Sequence, residues 1–165
     1  MIRLTPEPLT RAAFQPFGTV IETEGAASFQ INEGTTTRFH ALATADPGEN
    51  GTAILSIFRG TPRPRPIAIT MLERHPLGSQ AFMPLSDAPW LVVVADGERP
   101  TAADCRAFIA TGRQGVQYTR GVWHHPLLVL RPDHDFLVVD REGPGENLEE
   151  IAFDWAAELV VGDPS

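Results

Sequence analysis

Proline and glycine decide what this chain can become. Fifteen prolines and fourteen glycines are spread through 165 residues and cut the apolar sequence into short runs. Proline removes a backbone donor and glycine costs conformational entropy, so neither suits a helix interior. Short apolar or β-branched runs between such breakers read as strands. The candidates are Gly18–Glu22, Phe29–Ile31, Thr37–Ala41, Ala53–Phe58, Ile67–His75, Gln80–Pro84, Leu91–Ala95, Gly115–Arg120, Leu127–Arg131 and Asp135–Asp140. Two stretches read as helices. Thr10–Phe14 has Thr10 as its cap and stops before Pro16. Thr101–Ala110 has Thr101 as cap, Asp104 three residues on and Gly112 past its end. An all-β sandwich or closed barrel with one or two short helices is the expected fold. Neither a repeat nor a long linker divides the chain, so residues 1–165 are expected to form one domain. The tail from Gly143 is rich in glycine, proline and glutamate, and its last few residues are expected to be mobile.

Charge narrows the function. The formal net charge is -8, there is no lysine, and the arginines are scattered apart from Arg63 and Arg65. Phosphate-backbone binding needs clustered cations, so a nucleic-acid partner is not expected. No run approaches the roughly 18 apolar residues of a membrane helix, and MIRLTPEPLT does not read as a signal peptide. The single cysteine, Cys105, fits a reducing compartment. A cytoplasmic protein without a membrane partner is expected.

The stretch ERHPLGSQAFMP (residues 73–84) raises the chemical question. In an extended strand alternate residues share a face, which puts Ile67, Ile69, Met71, Glu73 and His75 on one row. Three apolar members make that row a core face, and a charge there is costly unless it is paired or bound to a metal. The remaining histidines are His40, His124, His125 and His134. His124 and His125 are adjacent, so at most one points inward with Glu73 and His75. Gln80 follows from the next strand. Imidazole and carboxylate donors suit a divalent transition metal; a structural ion pair at a sheet edge is the plainer reading. His40 reads as a hydrogen-bonded core residue, His134 as part of a solvated turn, and Asp140 and Arg141 as a local pair closing a strand end.

Four motifs in order carry a resemblance: QINEGTTTRFH (30–40), ERHPLGSQAFMP (73–84), GVQYTRGVWHHPLL (115–128) and DFLVVDREGPG (135–145). Together they resemble the ureidoglycolate lyase family of allantoin catabolism, from about Phe17 to Asn147. The resemblance implies a cupin-type, jelly-roll-like β-barrel, a homodimer, and cleavage of ureidoglycolate to glyoxylate and urea. In cupins generally, two histidines, a glutamate and a late histidine hold a metal. By that resemblance Glu73, His75, Gln80 and His124 are the metal set, with nickel or zinc as the ion. Two of the four positions, Glu73 and Gln80, depart from the usual cupin residues.

Losing urea requires deprotonating a hydroxyl, breaking C–N and protonating the departing nitrogen. Acid and base groups contribute about 10²–10⁴-fold each. His75, His124 and Glu73 are the catalytic candidates, and Arg38, Gln80 and Tyr118 the substrate-binding ones. Arg38 is preferred over Arg74 for the substrate carboxylate, because strand alternation turns Arg74 away from Glu73 and His75. Two other functions compete: an amidohydrolase releasing ammonia from the same substrate, and a non-catalytic cupin sensor of a small ligand.

Overall fold

The computed structural model describes residues 1–162; the expectation of a mobile end falls on Asp163–Ser165, outside the described residues. The first strands are β1 (Ile2–Leu4), β2 (Glu7–Pro8), β3 (Gly18–Ile21), β4 (Phe29–Ile31), β5 (Thr36–Arg38), β6 (Thr52–Gly60) and β7 (Ile67–Arg74). They are followed by β8 (Gln80–Pro84), β9 (Trp90–Ala95), β10 (Cys105–Ala110) and β11 (Gly115–Tyr118). The last are β12 (Trp123–His124), β13 (Leu128–Val129), β14 (His134–Glu142) and β15 (Glu149–Leu159). One short α-helix, α1 (Arg11–Phe14), starts where Thr10 Oγ1 accepts the amide of Ala13 at 3.2 Å.

The large sheet runs β1-β15-β7-β12-β9-β10-β2, with β13 also on β9; the smaller runs β3-β11-β8-β14-β6, and β4 and β5 form a separate hairpin. The two main sheets face each other as a cupin-like β-barrel. Phe82, Tyr118, Val116, Phe136 and Val138 from the small sheet meet Trp90, Val92, Val94 and Phe108 from the large one. Leu91, Val93 and Ala95 alternate onto the other face of β9 and join a second apolar cluster with Ile67, Ile69, Leu72, Ala157 and Leu159.

The single-face row expected along Ile67–His75 is broken, and the break creates the site. Ala157 pairs with Ile69 but Ala152 pairs with Met71, so β15 carries extra residues opposite Thr70. Such a bulge re-aims the strand. Ile67 and Ile69 pack in the second cluster together with Leu72. Glu73, next to Leu72, therefore turns to the opposite face, inside the barrel, where it is in register with His124.

One other expectation is corrected, and one long strand was not among the candidates. Thr101 and Asp104 do form a reciprocal capping box, but it caps only a 3-10 turn at Ala102–Asp104. Cys105–Ala110 then continues as a strand antiparallel to β9. Burial of Cys105, Ala107, Phe108 and Ala110 against its neighbours outweighs the local helix signal. The tail from Gly143 contains the eleven-residue strand β15, paired with both β7 and β1.

Candidate active site

His124 sits on β12, between β7 and β9, in register with Glu73 on one side and Val94 on the other. Val94 belongs to the inner core, so His124 and Glu73 also face inward. His75 is the first residue after β7. From the opposite sheet, Tyr118 and Gln80 are in register with each other. Tyr118 closes the gap between the sheets: its ring stacks on His124 at 4.0 Å between centroids and 8° between planes. The His75 ring lies 5.2 Å from that of His124.

Donor atoms of Glu73, His75 and His124 all lie within 4.8 Å of one another. Their protonation follows from what holds each ring. Nδ1 of His75 is 2.8 Å from the Asn147 carbonyl, and Nδ1 of His124 is 3.0 Å from the Val122 carbonyl. A carbonyl only accepts, so each Nδ1 carries a proton, and in the neutral tautomer of each ring Nε2 holds the free lone pair. Both Nε2 atoms are buried without a hydrogen-bond partner. His124 Nε2 approaches Glu73 Oε1 at 3.6 Å, longer than a hydrogen bond.

Burial lowers the His124 pKa, only partly offset by Glu73 and the Val122 carbonyl. For Glu73, burial pushes the carboxyl up, but the facing imidazoles of His124, His75 and His125 outweigh it and leave the group below its usual range. At neutral pH an ionised Glu73 thus faces a neutral His124. Burial also raises the Tyr118 phenol, with the Glu73 charge adding to it, so the hydroxyl stays protonated.

Gln80 is 5% exposed. Its Nε2 donates to Asp140 Oδ2 at 3.1 Å, and its Oε1 is buried without a partner. Three unsatisfied acceptor atoms, the two Nε2 and this Oε1, therefore belong to side chains of one inner site. Unpaired buried acceptors are rare, and the two imidazole Nε2 atoms with the Glu73 carboxylate form a donor set that a transition metal can use.

The structure brings together Glu73, His75 and His124, stacks Tyr118 on His124, and sets Gln80 beside Tyr118 on the facing sheet. Arg38 is exposed at the end of the β4–β5 hairpin and makes no hydrogen bond or ion pair with these residues. Arg74 lies on the other face, 4.5 Å over the Trp123 ring and 2.7 Å from Glu149. His125 is buried, with Nδ1 2.8 Å from the Pro126 carbonyl. Three further expectations are corrected. His40 is exposed beside Phe29 rather than in the core. His134 is 1% exposed, buried against Phe136, rather than in a solvated turn. Asp140 and Arg141 do not pair: Asp140 holds Gln80, while Arg141 donates to the carbonyls of Pro144 and Glu49. Residues that sequence reasoning passed over are Asn147, whose carbonyl sets the His75 tautomer, and Asp140.

A profile of the ureidoglycolate lyase family matches residues 1–160. The chain belongs to the ureidoglycolate lyase family. Family members in curated collections include "Ureidoglycolate lyase 1" of Rhizobium meliloti, 57% identical over 163 residues, spanning 98% of this chain and 95% of that protein. The ureidoglycolate lyase of Burkholderia mallei is 58% identical over 151 residues, spanning 91% and 89%. That of Pseudomonas syringae pv. tomato is 54% identical over 167 residues, spanning 100% and 98%. No helix among the described residues is long and apolar enough to cross a membrane.

Proposed function

We propose that this protein is a ureidoglycolate lyase, a carbon-nitrogen lyase that cleaves ureidoglycolate to glyoxylate and urea. Family membership supports the reaction class. The observation that carries the site is the pair of imidazoles with buried, unpartnered Nε2 atoms beside the Glu73 carboxylate.

The substrate carbon carries a hydroxyl, a carboxylate, a hydrogen and the ureido nitrogen. In this reading His124 Nε2 accepts the hydroxyl proton. The oxygen's electrons form the aldehyde C=O as the C–N bond breaks. His124 then returns the proton to the departing nitrogen, so urea leaves neutral and no net proton is consumed. The Val122 carbonyl keeps His124 in the tautomer this needs. Glu73 stabilises the transient imidazolium from 3.6 Å, and Tyr118 fixes the ring plane by stacking. His75 Nε2 and Gln80 Oε1 accept hydrogen bonds from the ureido N–H groups. Arg38, exposed and without an ion pair among the described residues, is the cation this reading assigns to the substrate carboxylate.

As the alternative to this metal-free chemistry, the same lone pairs fit a divalent metal such as nickel or zinc, which Glu73, His75, Gln80 and His124 would hold in place of the base and acceptor roles just given. When bound, it would supply Lewis-acid polarisation of the substrate oxygens. The reading includes a single-domain homodimer in the cytoplasm, acting on a small molecule with no nucleic-acid or membrane partner. Leu55 and Ile57, 69% and 56% exposed on the edge strand β6, support the dimer, and the lone cysteine supports the compartment.

Product analysis tests the function. Purified protein is incubated with racemic ureidoglycolate, with and without prior chelator. Glyoxylate above the no-protein control, with urea and no ammonia, is the expected result. Ammonia in place of urea would make it an amidohydrolase, and no product above control would favour a ligand sensor.

A further inference from the structure

We infer that Asp140 is a positioning residue whose task is to turn the Gln80 amide so that its carbonyl oxygen joins the donor cluster. This rests on the proposed metal-compatible site and goes beyond it, since Asp140 touches none of the three clustered donors.

The argument begins in strand phase. Phe136 and Val138 on β14 point into the inner core, so Asp140, two residues on, ends the same inward row. Val139 pairs with Ala81, which places Asp140 opposite Gln80 on the neighbouring strand. The contact between them is Gln80 Nε2 to Asp140 Oδ2 at 3.1 Å.

The chemistry of that contact has one sense. The Asp140 oxygen accepts in this contact and the Gln80 nitrogen donates, so the amide NH₂ faces Asp140. The carbonyl oxygen must then face the other way, and that oxygen is buried and unpartnered. Without Asp140 the amide is free to flip. A flipped amide would turn two N–H donors to the side where the buried carbonyl oxygen now points, and would repel a cation instead of binding it. The backbone carbonyls of Asn147 and Val122 impose the same discipline on the two imidazoles. Asp140 is the one member of this supporting shell that is a side chain. Loss of such a partner typically costs about 10–100-fold in metal affinity.

A merely structural bond between β8 and β14 predicts a different result, and a double-mutant cycle separates the two. Co²⁺ alone is the probe: its affinity is measured by titration and its visible d–d bands report the number and type of donors. The variants are Asp140→Ala, Gln80→Leu and the double variant, with thermal melts run in parallel. The expected result is a drop of about 10–100-fold in Co²⁺ affinity for each single variant. The same change in the bands should accompany both, and the double variant should bind no more weakly than Gln80→Leu alone. Full loss additivity, or Asp140→Ala with wild-type affinity and bands, would overturn the inference.

If Asp140→Ala does not fold, Asp140→Asn replaces it. Its amide can hold either end of the Gln80 amide, so Co²⁺ affinity should fall. In a Gln80→Glu background both side-chain oxygens accept, so there is no amide to turn and Asp140→Asn should not lower the affinity. Equal losses in the two backgrounds would also overturn the inference. A wild-type protein that binds no Co²⁺ at all would overturn it too, while glyoxylate and urea release would still decide the proposed activity independently.

Discussion

Glu73→Gln is the most informative single change in the site, because it removes a charge and leaves the shape. Glu73 Oε1 lies 3.6 Å from His124 Nε2. If His124 takes the substrate proton, a full positive charge appears at that distance in the transition state. Two unit charges so placed attract by roughly 4–5 kcal/mol at an effective dielectric of about 20. The Glu73 side chain is 20% exposed, so solvent screening takes a share and about 3 kcal/mol remains. That corresponds to a loss of roughly 10²-fold in kcat. The neutral His124 of the ground state has no full charge to lose, so KM should change far less than kcat. The assay is steady-state glyoxylate release from ureidoglycolate, with circular dichroism to confirm the fold. A variant within about threefold of wild-type kcat would refute the reasoning, since a developing imidazolium could not be indifferent to its counter-charge.

Other consequences are equally direct. His134 has both ring nitrogens buried and unpartnered, so His134→Leu should stabilise by about 1–3 kcal/mol and raise Tm by about 2–10 °C. Burial also lowers the His134 pKa; the unfolded chain therefore takes up this proton first as pH falls below the ordinary histidine value, and stability declines in acid. His134→Leu should flatten that decline, and melts at two pH values would detect it; a lower Tm or an unchanged slope would contradict the account. Burial pushes the Cys105 thiol to about 12, so iodoacetamide should label it at pH 8 only after denaturation, and rapid native labelling would count against this packing. Arg38→Ala should raise KM for ureidoglycolate with kcat little changed; an unchanged KM would remove Arg38 from the site.

Much of the barrel could be read from residue order, and the reasons for the failures are specific. Phe29–Ile31 and Gln80–Pro84 were legible to the residue because turn formers bracket them. Residues 105–110 were misread because Thr101 and Asp104 do make a capping box, and only pairing with β9 overrides it. β15 was missed because its glutamates and the preceding glycines and proline masked an alternation of Ile151, Phe153 and Trp155 with polar or small residues. At the site, the closeness of Glu73, His75 and His124 was legible, because polar side chains at the ends of inward rows stand out. Asp140 obeys the same rule after Phe136 and Val138, but its neighbour Arg141 offered a simpler partner. The face switch on β7 could not be read locally: it depends on a bulge in a strand about eighty residues away.

The most direct test of the whole account is the rate of glyoxylate and urea release from ureidoglycolate by wild-type protein and His124→Gln, side by side. The account predicts equimolar products from the wild type and a fall of at least about 10²-fold in the folded variant. Equal rates in the two proteins, or ammonia where urea should be, would contradict it.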